Sequence, residues 1–111
     1  MRVGTVMSLT ESATGRAFAA FDARAQAAVL AQHPDSRLQS ELGEVRSRGL
    51  ARAVGRPIPG INAFAAPVMA RGVDEVLYVV LVTGRAETFD AEWSSAIASE
   101  LAACVNALKA R

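Results

Sequence analysis

The chain has 111 residues, about half of them apolar and a fifth charged, which is the composition of one globular domain and not of a disordered tail. Twelve basic residues against eleven acidic ones leave a formal charge of +1 with no run of like charge, so nothing marks a nucleic-acid or membrane surface. A single cysteine, Cys104, excludes an internal disulfide and a cysteine-rich metal site, and fits a reducing, cytoplasmic setting. No stretch approaches the roughly 18 apolar residues that span a bilayer, and the N-terminus lacks the pattern of a secretory signal.

Residues 2–9 alternate loosely and predict a strand, weakened by Gly4. Ser12 is placed to cap a helix through Phe21, where apolar residues recur at helical spacing. Asp22 offers a second cap for a short helix ending near His33, because Pro34 disfavours helical geometry in the residue before it. A third helix is expected from Ser36 to Arg48, with Leu38, Leu42 and Val45 on one face and Gly49 as its terminator. Leu50 to Val54 reads as a short extended piece. The two glycines and two prolines of residues 55–60 preclude regular structure and make this loop a natural place for function.

Two strands follow, Ile61 to Ala70 and Glu75 to Thr83, joined through residues 71–74. The second is apolar on both faces and is expected at the centre of a covered sheet. Asp90 is then expected to cap a long helix whose stripe comprises Trp93, Ile97, Leu101, Cys104, Val105 and Leu108. Helices packed on a mixed sheet, an α/β (α+β) fold without internal repeat, is the economical assembly.

Chemistry is sparse. Ser12-Ala13-Thr14-Gly15-Arg16 sits where a strand feeds a helix, but it lacks the glycine and lysine positions of a Walker loop, and no dinucleotide fingerprint occurs. Either this is an ordinary capped helix, or its free N–H groups hold a carboxylate. His33, alone near a helix C-terminus, reads as structural, since no metal or acid–base partners cluster near it in sequence. Cys104 reads as a buried thiol and Trp93 as a core or dimer anchor. No catalytic residue, cofactor or metal site is expected, and the chain does not read as an enzyme.

Three segments in order resemble the effector-binding domain of bacterial transcription regulators of the IclR family. They are Arg2-Val3-Gly4 with Leu9-Thr10-Glu11-Ser12-Ala13-Thr14-Gly15-Arg16-Ala17, then Glu44-Val45-Arg46-Ser47-Arg48-Gly49-Leu50-Ala51, then Pro59-Gly60-Ile61-Asn62-Ala63-Phe64-Ala65-Ala66-Pro67-Val68 with Val80-Leu81-Val82-Thr83-Gly84 at hairpin distance. The resemblance implies a GAF-like or profilin-like sensor whose pocket lies between the sheet and the helix beginning near Ser12. It places ligand-holding backbone amides at Ala13 and Thr14 and apolar pocket walls at Met7 and Ile61. The family's polar positions fall on Ala53, Ala63 and Leu81, so that Thr83 alone keeps a hydroxyl, with Arg56 as an optional ionic partner.

Unpaired buried polar groups cost on the order of 1–3 kcal/mol each, so this apolar set disfavours a glyoxylate-sized effector and suits an aromatic or other larger organic acid. The resemblance further implies a homodimer or homotetramer. It begins inside the family's effector domain, so DNA would be reached only through a winged helix-turn-helix absent from these residues. The alternative is a stand-alone dimerising interaction module that binds no ligand.

Overall fold

The computed structural model describes residues 12–55, 58–70 and 75–109. The expected strand over residues 2–9, the turn at 71–74, Met7 and Arg56 lie outside the described residues.

Helix α1 (Ala13–Phe21) starts as expected at Ser12, whose hydroxyl accepts from the Gly15 amide at 2.9 Å. Asp22 ends α1 and begins α2 (Ala23–Gln32) without a linker. Its own N–H donates to the Phe18 carbonyl while its carboxylate accepts from Ala25. His33 closes α2, exposed and outside helical geometry ahead of Pro34. Helix α3 (Ser36–Arg48) is capped by Asp35 and stopped by Gly49 at φ +85°, a left-handed position that a side chain would strain. Its buried face is Leu38, Leu42 and Val45, as the periodicity predicts.

Strands β1 (Ala51–Val54), β2 (Ile61–Met69) and β3 (Val76–Arg85) form an antiparallel sheet in the order β1-β2-β3. Among the described strands every pairing is antiparallel. Among these described strands the apolar run of β3 does not take the central place. That place belongs to β2, buried from Asn62 to Val68, whereas β3 is an edge of the described sheet and exposes Leu77 by 54% and Tyr78 by 66%. The reason is packing: four of the seven buried residues of β2 are Ala63, Ala65, Ala66 and Pro67, small enough for helices to approach from either side. Pro67 is tolerated because β1 pairs only with Asn62 to Ala65, leaving β2 with one described neighbour there.

The two faces carry separate cores. On one, Ala51, Ala53, Ala63, Ala65 and Leu81 pack with Ala13, Ala17 and Ala20 of α1 and the apolar side of α3. On the other, Leu50, Phe64 and Ala66 meet Phe89 and α4 (Ala96–Lys109). Helix α4 begins later than expected. Ser95, not Asp90, supplies the cap, its hydroxyl accepting from the Ala98 amide, while Asp90 accepts from Glu92 in a local turn. That turn frees Trp93 from helical phase and sets it 5.9 Å from the Phe64 ring, with the guanidinium groups of Arg48 and Arg52 at 4.4 and 4.5 Å from its own centroid. The buried arc of α4 is consequently centred on Ala98, Leu101 and Val105, which turns Cys104 to the surface, contrary to its expected burial.

Candidate ligand-binding site

The first turn of α1 leaves the Ala13 and Thr14 amides without intrahelical acceptors, since Gly15 is taken by the Ser12 hydroxyl and Arg16 by the Ser12 carbonyl. The Thr14 hydroxyl is shielded from solvent, and among the described residues it is the one buried side-chain polar atom with no hydrogen-bond partner. Such a group is costly to leave unpaired, so it marks a place where a ligand can supply what the protein does not.

Beside this turn the sheet offers an apolar floor. Ala53, Ala63 and Thr83 stand in register across the three strands, and Ala65 and Leu81 pair in the next row on the same face. Ala13, Ala53 and Ala63 belong to one buried cluster against which the partly buried Leu81 packs, while Ile61 is half-buried and Thr83 exposed on that face. The structure thus gathers Ala13, Thr14, Ala53, Ile61, Ala63, Leu81 and Thr83 on the α1 side of the sheet. Helix-terminal amides and a hydroxyl above alanines can hold a small carboxylate with an apolar body, the amides by hydrogen bonding and dipole. Among the described residues no group of His, Cys, Asp and Glu is assembled for a metal.

A cleft of about 180 Å³ lies elsewhere, lined by Arg16, Glu41, Glu44, Val45, Arg52 and Trp93. Its charges are matched internally: Arg16 and Arg37 pair with Glu41 at 3.3 and 3.5 Å, and Arg52 donates to the Ala91 carbonyl at 3.0 Å. These contacts join α1, α3 and the segment before α4 and read as structural.

Two polar contacts across the fold escaped the sequence reading, the bond of Asp22, the expected cap of α2, to β3 and those of the buried Asn62. Asp22 caps α2 and also accepts from the Val76 amide at 3.2 Å, joining the helical layer to β3. The Ala25 hydrogen bond, followed by that of Val76, holds its pKa below the ordinary 3.8. Asn62 is buried on the α4 side of the sheet, accepting from the Gly55 amide at 3.0 Å and donating to the Phe89 carbonyl at 3.1 Å. An amide inside the apolar run of β2 was its only signal in the sequence.

Architecture and site define a small α+β domain with helices on both faces of an antiparallel sheet and an apolar corner under a helix N-terminus. The profile of the family described as bacterial transcriptional regulator IclR C-terminal matches residues 1–110, and the chain belongs to that family. Among solved structures it is similar to HmgR of Pseudomonas aeruginosa, with 36% identity and a TM-score of 0.80, covering 98% of this chain and 46% of that one. It is also similar in fold to the repressor BlcR of Agobacterium tumefaciens, at 19% identity and a TM-score of 0.76, covering 98% of this chain and 49% of that one. The double-mutant inducer-binding domain of the PobR transcription factor from Acinetobacter, solved as its 3-hydroxybenzoic acid complex, shares the fold at 15% identity and a TM-score of 0.78, covering 97% of this chain and 69% of that one. The chain spans about half the length of HmgR and BlcR. No curated protein sequence matches it. These neighbours are transcription regulators, and no helix among the described residues is long and apolar enough to cross a membrane.

Proposed function

We propose that this chain binds a small-molecule effector, an aromatic or other organic acid, as the sensing portion of a transcription regulator. The observation that carries this reading is the buried, partnerless Thr14 hydroxyl in the first turn of α1, next in sequence to Ala13, which lies in one buried cluster with Ala53 and Ala63. The effector's carboxylate accepts from the Ala13 and Thr14 amides and pairs with the Thr14 hydroxyl. Its apolar body lies against Ala53, Ala63, Leu81 and Ile61, with Thr83 at the open end. A floor with so few polar groups favours an aromatic ring over a short keto acid, and the aromatic acid held by PobR has the size and chemistry in question. The family motif offers Met7 as a further apolar wall residue and Arg56 as an optional ionic partner.

In this reading the protein assembles as a homodimer or homotetramer, works in the cytoplasm, and meets DNA through a winged helix-turn-helix outside these residues. Thermal shift and calorimetry with benzoate, 3-hydroxybenzoate and pyruvate test the ligand class. Aromatic acids are expected to bind and to raise the melting temperature. Tight pyruvate binding without aromatic binding would refute it. The exposed Leu77 and Tyr78 favour a second reading, a dimerising module without ligand. It predicts concentration-dependent association in sedimentation together with no response to any acid.

A further inference from the structure

The proposed site and helix α4 lie on opposite faces of one sheet, and Asn62 is a buried side chain that ties the sheet to the segment before α4. The row Ala53–Ala63–Thr83, which forms the proposed floor, is followed directly by the row Val54–Asn62–Gly84, where the side chains of Val54 and Asn62 point the other way. Asn62 is 5% exposed and uses both ends of its amide. The oxygen accepts from Gly55, whose N–H also reaches the Ile61 carbonyl at 3.0 Å, so it clamps the exit of β1 to the entrance of β2. The nitrogen donates to Phe89 in the segment leading to α4. A backbone N–H on one side and a carbonyl on the other allow only this orientation of the amide.

Gly84 makes the second contact possible. A Cβ there would stand 2.8 Å from Phe89 Cδ2, so the absence of a side chain lets Phe89 settle on β3 with its carbonyl in reach of Asn62. The Phe89 ring in turn lies 5.7 Å from Phe64, which lies 5.9 Å from Trp93. We infer that Asn62 is a positioning residue that transmits occupancy of the α1-side site through Phe89 to Trp93 and the start of α4. The inference rests on the proposed ligand site. A carboxylic acid seated on Ala53, Ala63 and Ile61 bears on the backbone of residues 53–55 and 61–63, and Asn62 is the buried polar side chain that holds that backbone to the far face.

The chain has one tryptophan, so its indole N–H gives a single resonance from a residue outside the proposed ligand contacts. 3-Hydroxybenzoate is titrated while calorimetry measures binding and the Trp93 indole resonance is followed. In the unmodified protein binding is expected to shift that resonance. Asn62→Asp keeps the acceptor toward Gly55 and loses the donor toward Phe89, whereas Gly84→Ala displaces Phe89 and leaves Asn62 intact. In either variant, shown folded by circular dichroism, the Trp93 shift is expected to be lost while the Kd moves by less than about tenfold, the scale of one hydrogen bond. Binding that leaves Trp93 unmoved in the unmodified protein, or a full Trp93 response in both variants, overturns the link and leaves the ligand site standing. Absence of calorimetric binding by 3-hydroxybenzoate and benzoate alike overturns the site and the link together.

Discussion

Thr14 and Asn62 are both polar side chains set among alanines, and they differ in what satisfies them. Asn62 has a protein partner at each end of its amide, while the Thr14 hydroxyl has none. Replacing that hydroxyl by a methyl of the same shape removes an unpaired buried group, which costs about 1–3 kcal/mol where it stands. Thr14→Val is therefore expected to melt at the same temperature as the parent or higher, and to lose affinity for an aromatic acid, both measurable by thermal shift. A variant less stable and equally competent in binding would count against the proposed role.

Asp22 gives a prediction in pH. Its folded pKa is depressed below 3.8, chiefly by the Ala25 amide and next by that of Val76, so the ionised carboxylate stabilises the fold above the unfolded value. That contribution fades as pH falls from about 3.8 through the lower folded value. Asn at this position cannot titrate and turns a donor toward one of the two amides. The melting temperature of Asp22→Asn is expected to lie below that of the parent at neutral pH, with the gap narrowing in melts below about pH 4.

Helix ends were the most legible elements, because capping is a local matter. Ser12, Asp22 and Gly49 each act within a few residues of themselves, and each terminates a helix where the sequence predicts. The start of α4 was not legible: Asp90 and Ser95 are both competent caps, and the choice between them depends on Trp93 reaching Phe64 and the two arginines, residues distant in the chain. Two glycines separate local from tertiary effects in the same way. Nothing lies within 4 Å of a Cβ at Gly43 in α3, so Gly43→Ala is expected to stabilise by about 1 kcal/mol through helix propensity alone. Gly84 lies in a strand and its Cβ would run into Phe89, so Gly84→Ala is expected to destabilise by about 1–3 kcal/mol. Denaturant melts of the two variants should move in opposite directions.

For the whole molecule, occupancy of one site should appear as stability. An acid at a hundred times its Kd adds about 2.7 kcal/mol to unfolding, readable as a rise in the denaturant midpoint that saturates with ligand. Of the residues that the motif offers for the floor of the proposed site, Ala53 and Ala63 lie with Ala13 in one buried cluster and Leu81 packs against it. The link to the far face was not legible, since the partners of Asn62 at Gly55 and Phe89 follow from strand register and from the space over Gly84. Apolar content likewise could not rank the strands. The β-branched run of β3 suits an interior place, yet the alanines of β2 take the centre because only small side chains let helices close on both faces. By itself the sequence determined the helices, the caps of α1 and α2, the stop of α3 and the family, all of which rest on short-range pattern and motif order. Tertiary structure alone decided which strand is central, where α4 begins, that Cys104 faces solvent and which polar groups are left without a partner, because each depends on what packs against what across the sheet.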